Sequence, residues 1–177
     1  SSGTKQWTKE LGTTSTDWGN GVTTDSSGNI YVTGFTKGGL DGNTSSGNWD
    51  IFLIKYNSSG TKQWTKQLGT SVTDEGLGLT TDYNGNIFVT GLTYGGLDGN
   101  SSSGISDAFL VKYNSSGDKQ WTKQFGTSTY DSGWTIVVGR DGFLYITGYT
   151  HGGFDNNTNA GGSDIFVVRL NSNGVIQ

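Results

Sequence analysis

The sequence predicts an all-β fold built by tandem repetition, and three observations carry that prediction. A 57-residue unit recurs along the chain without a gap. Each unit holds four runs of strand-forming residues and none with the 3.6-residue period of an amphipathic helix. Gly, Asn, Asp and Ser separate the runs, with no proline anywhere in the chain. Four antiparallel strands per repeat, joined by helix-free connections, is the pattern of a propeller blade. The expected fold is a β-propeller built from three 57-residue four-stranded blades.

The period is plain in the residues. Trp7, Trp64 and Trp121 share one position, as do Asp17, Asp74 and Asp131, and Gly34, Gly91 and Gly148. Gly38-Gly39-Leu40-Asp41 returns as Gly95-Gly96-Leu97-Asp98 and as Gly152-Gly153-Phe154-Asp155. Residues 7–63 and 64–120 are identical at 40 of 57 positions, whereas 121–177 keeps the frame with more drift. The chain therefore reads as one repeat domain: a partial repeat at 1–6, then 7–63, 64–120 and 121–177.

Within the first unit the strands are expected at Gly21–Asp25, Asn29–Thr36, Asp50–Tyr56 and Lys62–Leu68. Ile30-Tyr31-Val32-Thr33 and Ile51-Phe52-Leu53-Ile54 are β-branched and aromatic. The second is apolar on both faces, as suits a sheet packed between sheets. Asp25–Asn29 and Asn57–Gly60 are tight turns with Gly where a positive φ is needed. Lys37–Trp49 and Gly69–Gly78 are long connections. Strand direction reverses at each turn, so both short turns fall at one rim and both long connections at the other. The unusual loop side chains should therefore gather on one face.

Composition narrows the function. The net charge is −4, with Lys and Arg scattered and no basic stripe for nucleic acid. Absence of cysteine excludes a disulfide framework, a thiolate zinc site and a cysteine nucleophile. No run of 18 apolar residues could form a spanning helix. The chain opens in mid-repeat, which reads as a piece of something longer.

Two stretches, Asp25–Gly34 and Asp50–Asn57, resemble the bacterial SBBP β-propeller repeat, and they return at Asp82–Gly91 and Asp107–Asn114. The third copy departs, with Gly139-Arg140-Asp141-Gly142-Phe143 at the first turn and Arg169-Leu170 for Lys-Tyr. The resemblance implies an extracellular or cell-envelope-associated bacterial protein and names no single chemistry.

Three blades do not close a ring, since propellers have about 4–8. Lys5–Leu11 reads as a fourth strand lacking its first three, and Asp164–Leu170 as a third strand lacking its fourth. Open edges invite pairing. The expectation is a homodimer closing a six-bladed ring by exchange of residues 5–11; the alternative is part of a seven- or eight-bladed ring.

Two residue sets are candidates for binding. Asp41, Asn43 and Asp50, with Asp98, Asn100 and Asp107 and with Asp155, Asn157 and Asp164, offer hard oxygen atoms for calcium, the one cofactor considered. The opposing reading is that these are turn residues bonding local N–H groups. On the long-loop face, Asp17, Asp74 and Asp131 recur, while Trp18, Trp49, Tyr94, Tyr130 and Trp134 do not. A fixed framework with varied loop aromatics reads as a binding surface for a protein or a glycan. A carboxylate set repeated once per blade argues for loop pinning rather than catalysis, and His151 has no triad or zinc partners in sequence. A non-enzymatic binding or assembly module is expected, with a lectin as alternative and a polysaccharide hydrolase or structural spacer behind it.

Overall fold

The computed structural model describes residues 2–177. Eleven strands among them form three antiparallel meanders. The first blade comprises β1 (Asp17–Thr24), β2 (Ile30–Thr36), β3 (Asp50–Tyr56) and β4 (Lys62–Leu68). The second comprises β5 (Asp74–Thr81), β6 (Ile87–Thr93), β7 (Asp107–Tyr113) and β8 (Lys119–Phe125). The third holds β9 (Asp131–Val138), β10 (Leu144–Thr150) and β11 (Asp164–Leu170). Each sheet runs in sequence order, with β1, β5 and β9 side by side as the inner wall.

The expected bounds of the third and fourth strands match, but the first strand starts earlier, at Asp17 rather than Gly21. Trp18 and Gly19 already pair with Phe35 and Gly34, and a bulge at Asn20 resets the register before Gly21. The connection between blades is correspondingly short, residues 69–73. The bulge draws two backbones together. A Cβ on Gly34, Gly91 or Gly148 would collide with the carbonyl of Trp18, Glu75 or Ser132, which is why this position is glycine in every copy.

Each long connection carries a single turn of 3-10 helix, at Leu40–Gly42, Leu97–Gly99 and Phe154–Asn156. A single turn is too short to register as a period. Asp41, Asp98 and Asp155 adopt left-handed φ of 55°, 56° and 51°, which Asp tolerates better than most residues.

The cores lie between blades. Tyr31, Ile51 and Leu53 of the first blade meet Leu79, Ile87, Val89, Phe109 and Val111 of the second. Phe88, Ala108 and Leu110 on the second blade's other face meet Ile136, Ile146, Phe166 and Val168 of the third. Both ends of the stack remain open. Ile165 and Val167, counterparts of the buried Ile51 and Leu53, are 87% and 73% exposed. Val22, counterpart of the buried Leu79, is 69% exposed.

Residues 5–11 are not a strand, contrary to the expectation from their likeness to β4. A ladder needs a neighbouring strand, and among the described residues none pairs with this segment. It nevertheless docks on the first blade: Leu11 packs on Leu40, Phe52 and Ile54, as Leu68 and Phe125 pack in the other two cores. Beyond β11, Ile176 bridges Leu170 and the Gln177 N–H bonds the Arg169 carbonyl, so a fourth-strand path is begun there.

Candidate functional site

The rim that carries the long connections is tied down by recurring carboxylates. Asp17 accepts from the Thr13 N–H at 2.6 Å and from the hydroxyl of Thr36 at 2.5 Å. Asp74 accepts from the Thr70 N–H and hydroxyl at 2.5 and 2.8 Å and from the Thr93 hydroxyl. Asp131 accepts from the Thr127 N–H at 2.6 Å and its hydroxyl at 2.9 Å. Asp74 and Asp131 are fully buried. Burial lifts the Asp74 carboxyl above the usual carboxylate range, and the nearby charge of Asp50 adds to the lift. These three side chains pin the loops. Their bonded oxygens face loop donors; Asp17 is part-buried, and Oδ1 of Asp131 is buried without a partner.

The proposed calcium ligands do not converge either. Asp41 is paired with Lys62 and Asp98 with Lys119, ion pairs at the surface. The amides of Asn43, Asn100 and Asn157 turn inward, each Nδ2 donating to the carbonyl of Leu40, Leu97 or Phe154 at 2.8, 2.8 and 2.9 Å. Asp50, Asp107 and Asp164 accept from the N–H of Ser46, Ser103 and Ala160 at 2.6, 2.7 and 2.6 Å. Among the described residues no three acidic or His side chains come together as a metal site. The bonded oxygens hold turns, while Oδ1 of Asp50 and of Asp107 is buried without a hydrogen-bond partner.

A glutamine unforeseen from sequence organises this region. Gln67 receives the Leu40 N–H on Oε1 at 2.9 Å and donates through Nε2 to the Gly38 carbonyl at 3.0 Å and to Asp50 at 2.8 Å. Gln124 repeats all three bonds with Leu97, Gly95 and Asp107 at 2.9, 2.9 and 2.7 Å. One amide thus fastens the outer strand of a blade to its long loop.

The loop aromatics gather toward the inner wall. Trp18, 59% exposed, stacks on Phe35 with ring centroids 6.1 Å apart, and Phe35 meets the edge of half-buried Trp49 at 4.9 Å. Trp49 is further held by a bridge to Thr73 of the next blade. On the third blade Trp134, 60% exposed, stands edge-on to Tyr149 at 5.9 Å. His151 packs on Tyr130 and Tyr149, with Nε2 2.6 Å from the Ser163 hydroxyl. An open cleft of about 420 Å³ runs across all three blades, lined by Asn20, Glu75, Leu77, Leu92, Trp134 and Tyr149. Burial raises the Glu75 carboxyl, and among the described residues no ion pair reaches it. Burial likewise raises the phenol of exposed Tyr94, with the Glu75 charge adding.

Of the residues expected on this face, Trp134 lines the cleft, Tyr94 and Tyr130 lie near its Glu75 and Tyr149, Trp18 lines a separate hollow with Trp7, Leu11 and Phe52, and Trp49 is held against Phe35 and Thr73. Glu75, Leu77, Asn20 and Tyr149 were not foreseen. The available signal was variation at inner-strand positions: Trp18, Glu75 and Ser132 share one position, and Asn20, Leu77 and Trp134 another.

Similarity to known proteins agrees with this architecture. A family model described as a beta-propeller repeat, SBBP, matches residues 6–41, 63–98 and 120–155. The chain is 28% identical over 205 aligned positions to an uncharacterized WD repeat-containing protein of Acanthamoeba polyphaga mimivirus, an alignment covering 94% of this chain and 15% of that protein. It is 27% identical over 139 positions to the regulatory protein FlaEY of Caulobacter vibrioides, covering 71% of this chain and 15% of the relative. The chain thus spans about 15% of the length of each of these relatives. Three matches in phase with three blades place this chain in the SBBP beta-propeller repeat family.

Proposed function

We propose that this chain is a non-enzymatic propeller module for binding or assembly, and that a second copy completes its ring. One observation carries the reading. The bare face of the third blade and the bare face of the first are the two halves of the interface used inside the molecule, twice, between successive blades. Joined head to tail they regenerate it, and two sets of three blades lie within the range of closed propellers. The names of the relatives, one a WD repeat-containing protein and one a regulatory protein, favour binding over catalysis. Work outside the cell or at its envelope accords with the family resemblance. Light scattering over a concentration series tests the reading: the mass should rise from 18.8 kDa toward two chains. A mass fixed at one chain at every concentration and pH would contradict it.

The lectin reading is favoured by the exposed indole of Trp134 in the cleft. Rigid aromatic faces suit sugar rings, and Asn20 and Glu75 could bond hydroxyls. A glycan array should give selective binding that falls roughly tenfold in Trp134→Ala, about the worth of one aromatic contact. Uniform absence of binding would remove the lectin and leave assembly standing.

A further inference from the structure

The framework repeats from blade to blade, but three positions on the inner two strands do not. Trp18, Glu75 and Ser132 occupy the first, Asn20, Leu77 and Trp134 the second, and Phe35, Leu92 and Tyr149 the third. Six of these nine side chains line the cleft of about 420 Å³. The second blade forms its middle and both neighbouring blades contribute, so the cleft lies within the stack and not on an end face. Its chemistry is one-sided. No Lys, Arg or His side chain lines it, and its one charged group is the Glu75 carboxylate. Glu75 is half-buried, and among the described residues no hydrogen bond or ion pair reaches that carboxylate. The Asn20 amide is oriented by its Nδ2, which donates to the Gly76 carbonyl at 2.9 Å. Its Oδ1 is left as an acceptor without a donor among the described residues. The two polar groups fixed in place thus both offer acceptors. Beside them stand two aromatic walls at a right angle, exposed Trp134 and half-buried Tyr149, with interplanar angle 88°.

We propose that this cleft binds an organic ammonium ion, whose N–H groups donate to Glu75 and to Oδ1 of Asn20 and whose carbon chain lies on Trp134 and Tyr149. This rests on the binding-module reading above and names the ligand chemistry of its cleft. A carboxylate taken partly out of water without a partner is costly, and a cation placed beside it recovers that cost. Burial raises the Glu75 carboxyl, as expected of a group that lacks its counter-charge. The protein's own cations are engaged elsewhere on this face: Lys37 lies over the Trp49 ring at 5.7 Å, and His151 is turned to the Ser163 hydroxyl. Aromatic faces attract a cation through the ring quadrupole, so the walls favour the same ligand as the carboxylate. A neutral sugar brings hydroxyls that need acceptors and donors alike, whereas an ammonium brings only donors and a charge.

An NMR titration of the full 177-residue chain, read at the indole N–H of Trp134, tests the proposal. That signal is identified among the six indoles as the one missing from Trp134→Phe. Butylammonium should shift it saturably, and butanol, the same carbon chain without the charge, should not do so at equal concentration. Glu75→Gln, checked as folded by its melting curve, should weaken butylammonium binding at least about tenfold, the worth of a hydrogen bond to a charged group. Glucosamine and glucose distinguish the source of the amine. Glucosamine binding more tightly than butylammonium, with glucose inert, supports an ammonium carried on a sugar; the reverse order supports a free amine. Equal shifts from butylammonium and butanol, or unchanged butylammonium affinity in Glu75→Gln, would overturn the ammonium site. Glucose binding as tightly as glucosamine would also overturn it, while keeping the lectin reading. No saturable shift with any of these probes would remove the site and leave assembly standing.

Discussion

Single residues in this fold act through backbone approach and hydrogen-bond direction. Gly91 sits where the bulged inner strand presses on β6, with the Glu75 carbonyl and the Phe109 ring in the space a methyl would need. Gly91→Ala should therefore destabilise by roughly 1–3 kcal/mol, the range for forcing extra volume into a packed site; thermal unfolding measures it. Gln124 offers a test of the direction argument within one chain. Gln124→Glu places a carboxylate beside buried Asp107, which already holds one oxygen without a partner. The new glutamate would have a folded pKa above its unfolded value. Its protonated form then supports the fold below the unfolded pKa, and that support is lost as pH rises through the folded pKa. The variant should melt below wild type at pH 7, with the gap narrowing toward about pH 4. A gap independent of pH would show that the amide acts only through its shape. Neither Gln67 nor Gln124 announces its role in sequence, because a glutamine in a polar, half-exposed strand looks like solvent-facing filler. The loop carboxylates were conspicuous for the opposite reason. Asp residues beside Gly and Asn suit both a turn and a cation, and only the partners found here, Thr13, Thr70 and Lys62 among them, separate the two.

At the scale of elements, the blade strands were legible wherever side chains alternate or run apolar. β2, β3 and β4 fall within a residue of their expected bounds. β1 was read short because Gly19, Asn20 and Gly21 imitate a loop, although its ladder with β2 continues past the bulge. Residues 5–11 were read as a strand because they match β4 residue for residue, yet pairing is a tertiary property and the neighbour is missing. The contrast between covered and bare faces gives a prediction at this scale. Leu110→Ala, in the core between the second and third blades, should cost about 2–5 kcal/mol. Val167→Ser, at the position of Leu110 on the bare face of the third blade, should change stability in dilute solution by no more than about 0.5 kcal/mol. The same serine should weaken association between chains. Comparable losses from both substitutions in dilute solution would mean that the third blade's outer face is already covered within one chain.

The whole molecule is a stack of three blades whose two end faces are bare. The aromatic cleft lies on blades of one chain and does not depend on closure, which separates ligand binding from assembly in any assay. Its residues could not be assembled from sequence, since Glu75, Trp134 and Tyr149 meet only through the stacking of three blades. The proposed closure, in which residues 7–11 of one copy pair with β11 of another, has a direct measurement in a chain with no cysteine, because the register of β3 and β4 carried over to β11 sets Lys9 opposite Val167. Residues opposed across an antiparallel pair lie about 4.5–5.5 Å apart at Cα, within disulfide reach. Oxidation of the Lys9→Cys, Val167→Cys double variant should give a covalent dimer on a non-reducing gel, formed faster than by either single variant. Cross-linking no greater than that of the single variants, in a protein that melts like wild type, would contradict the account.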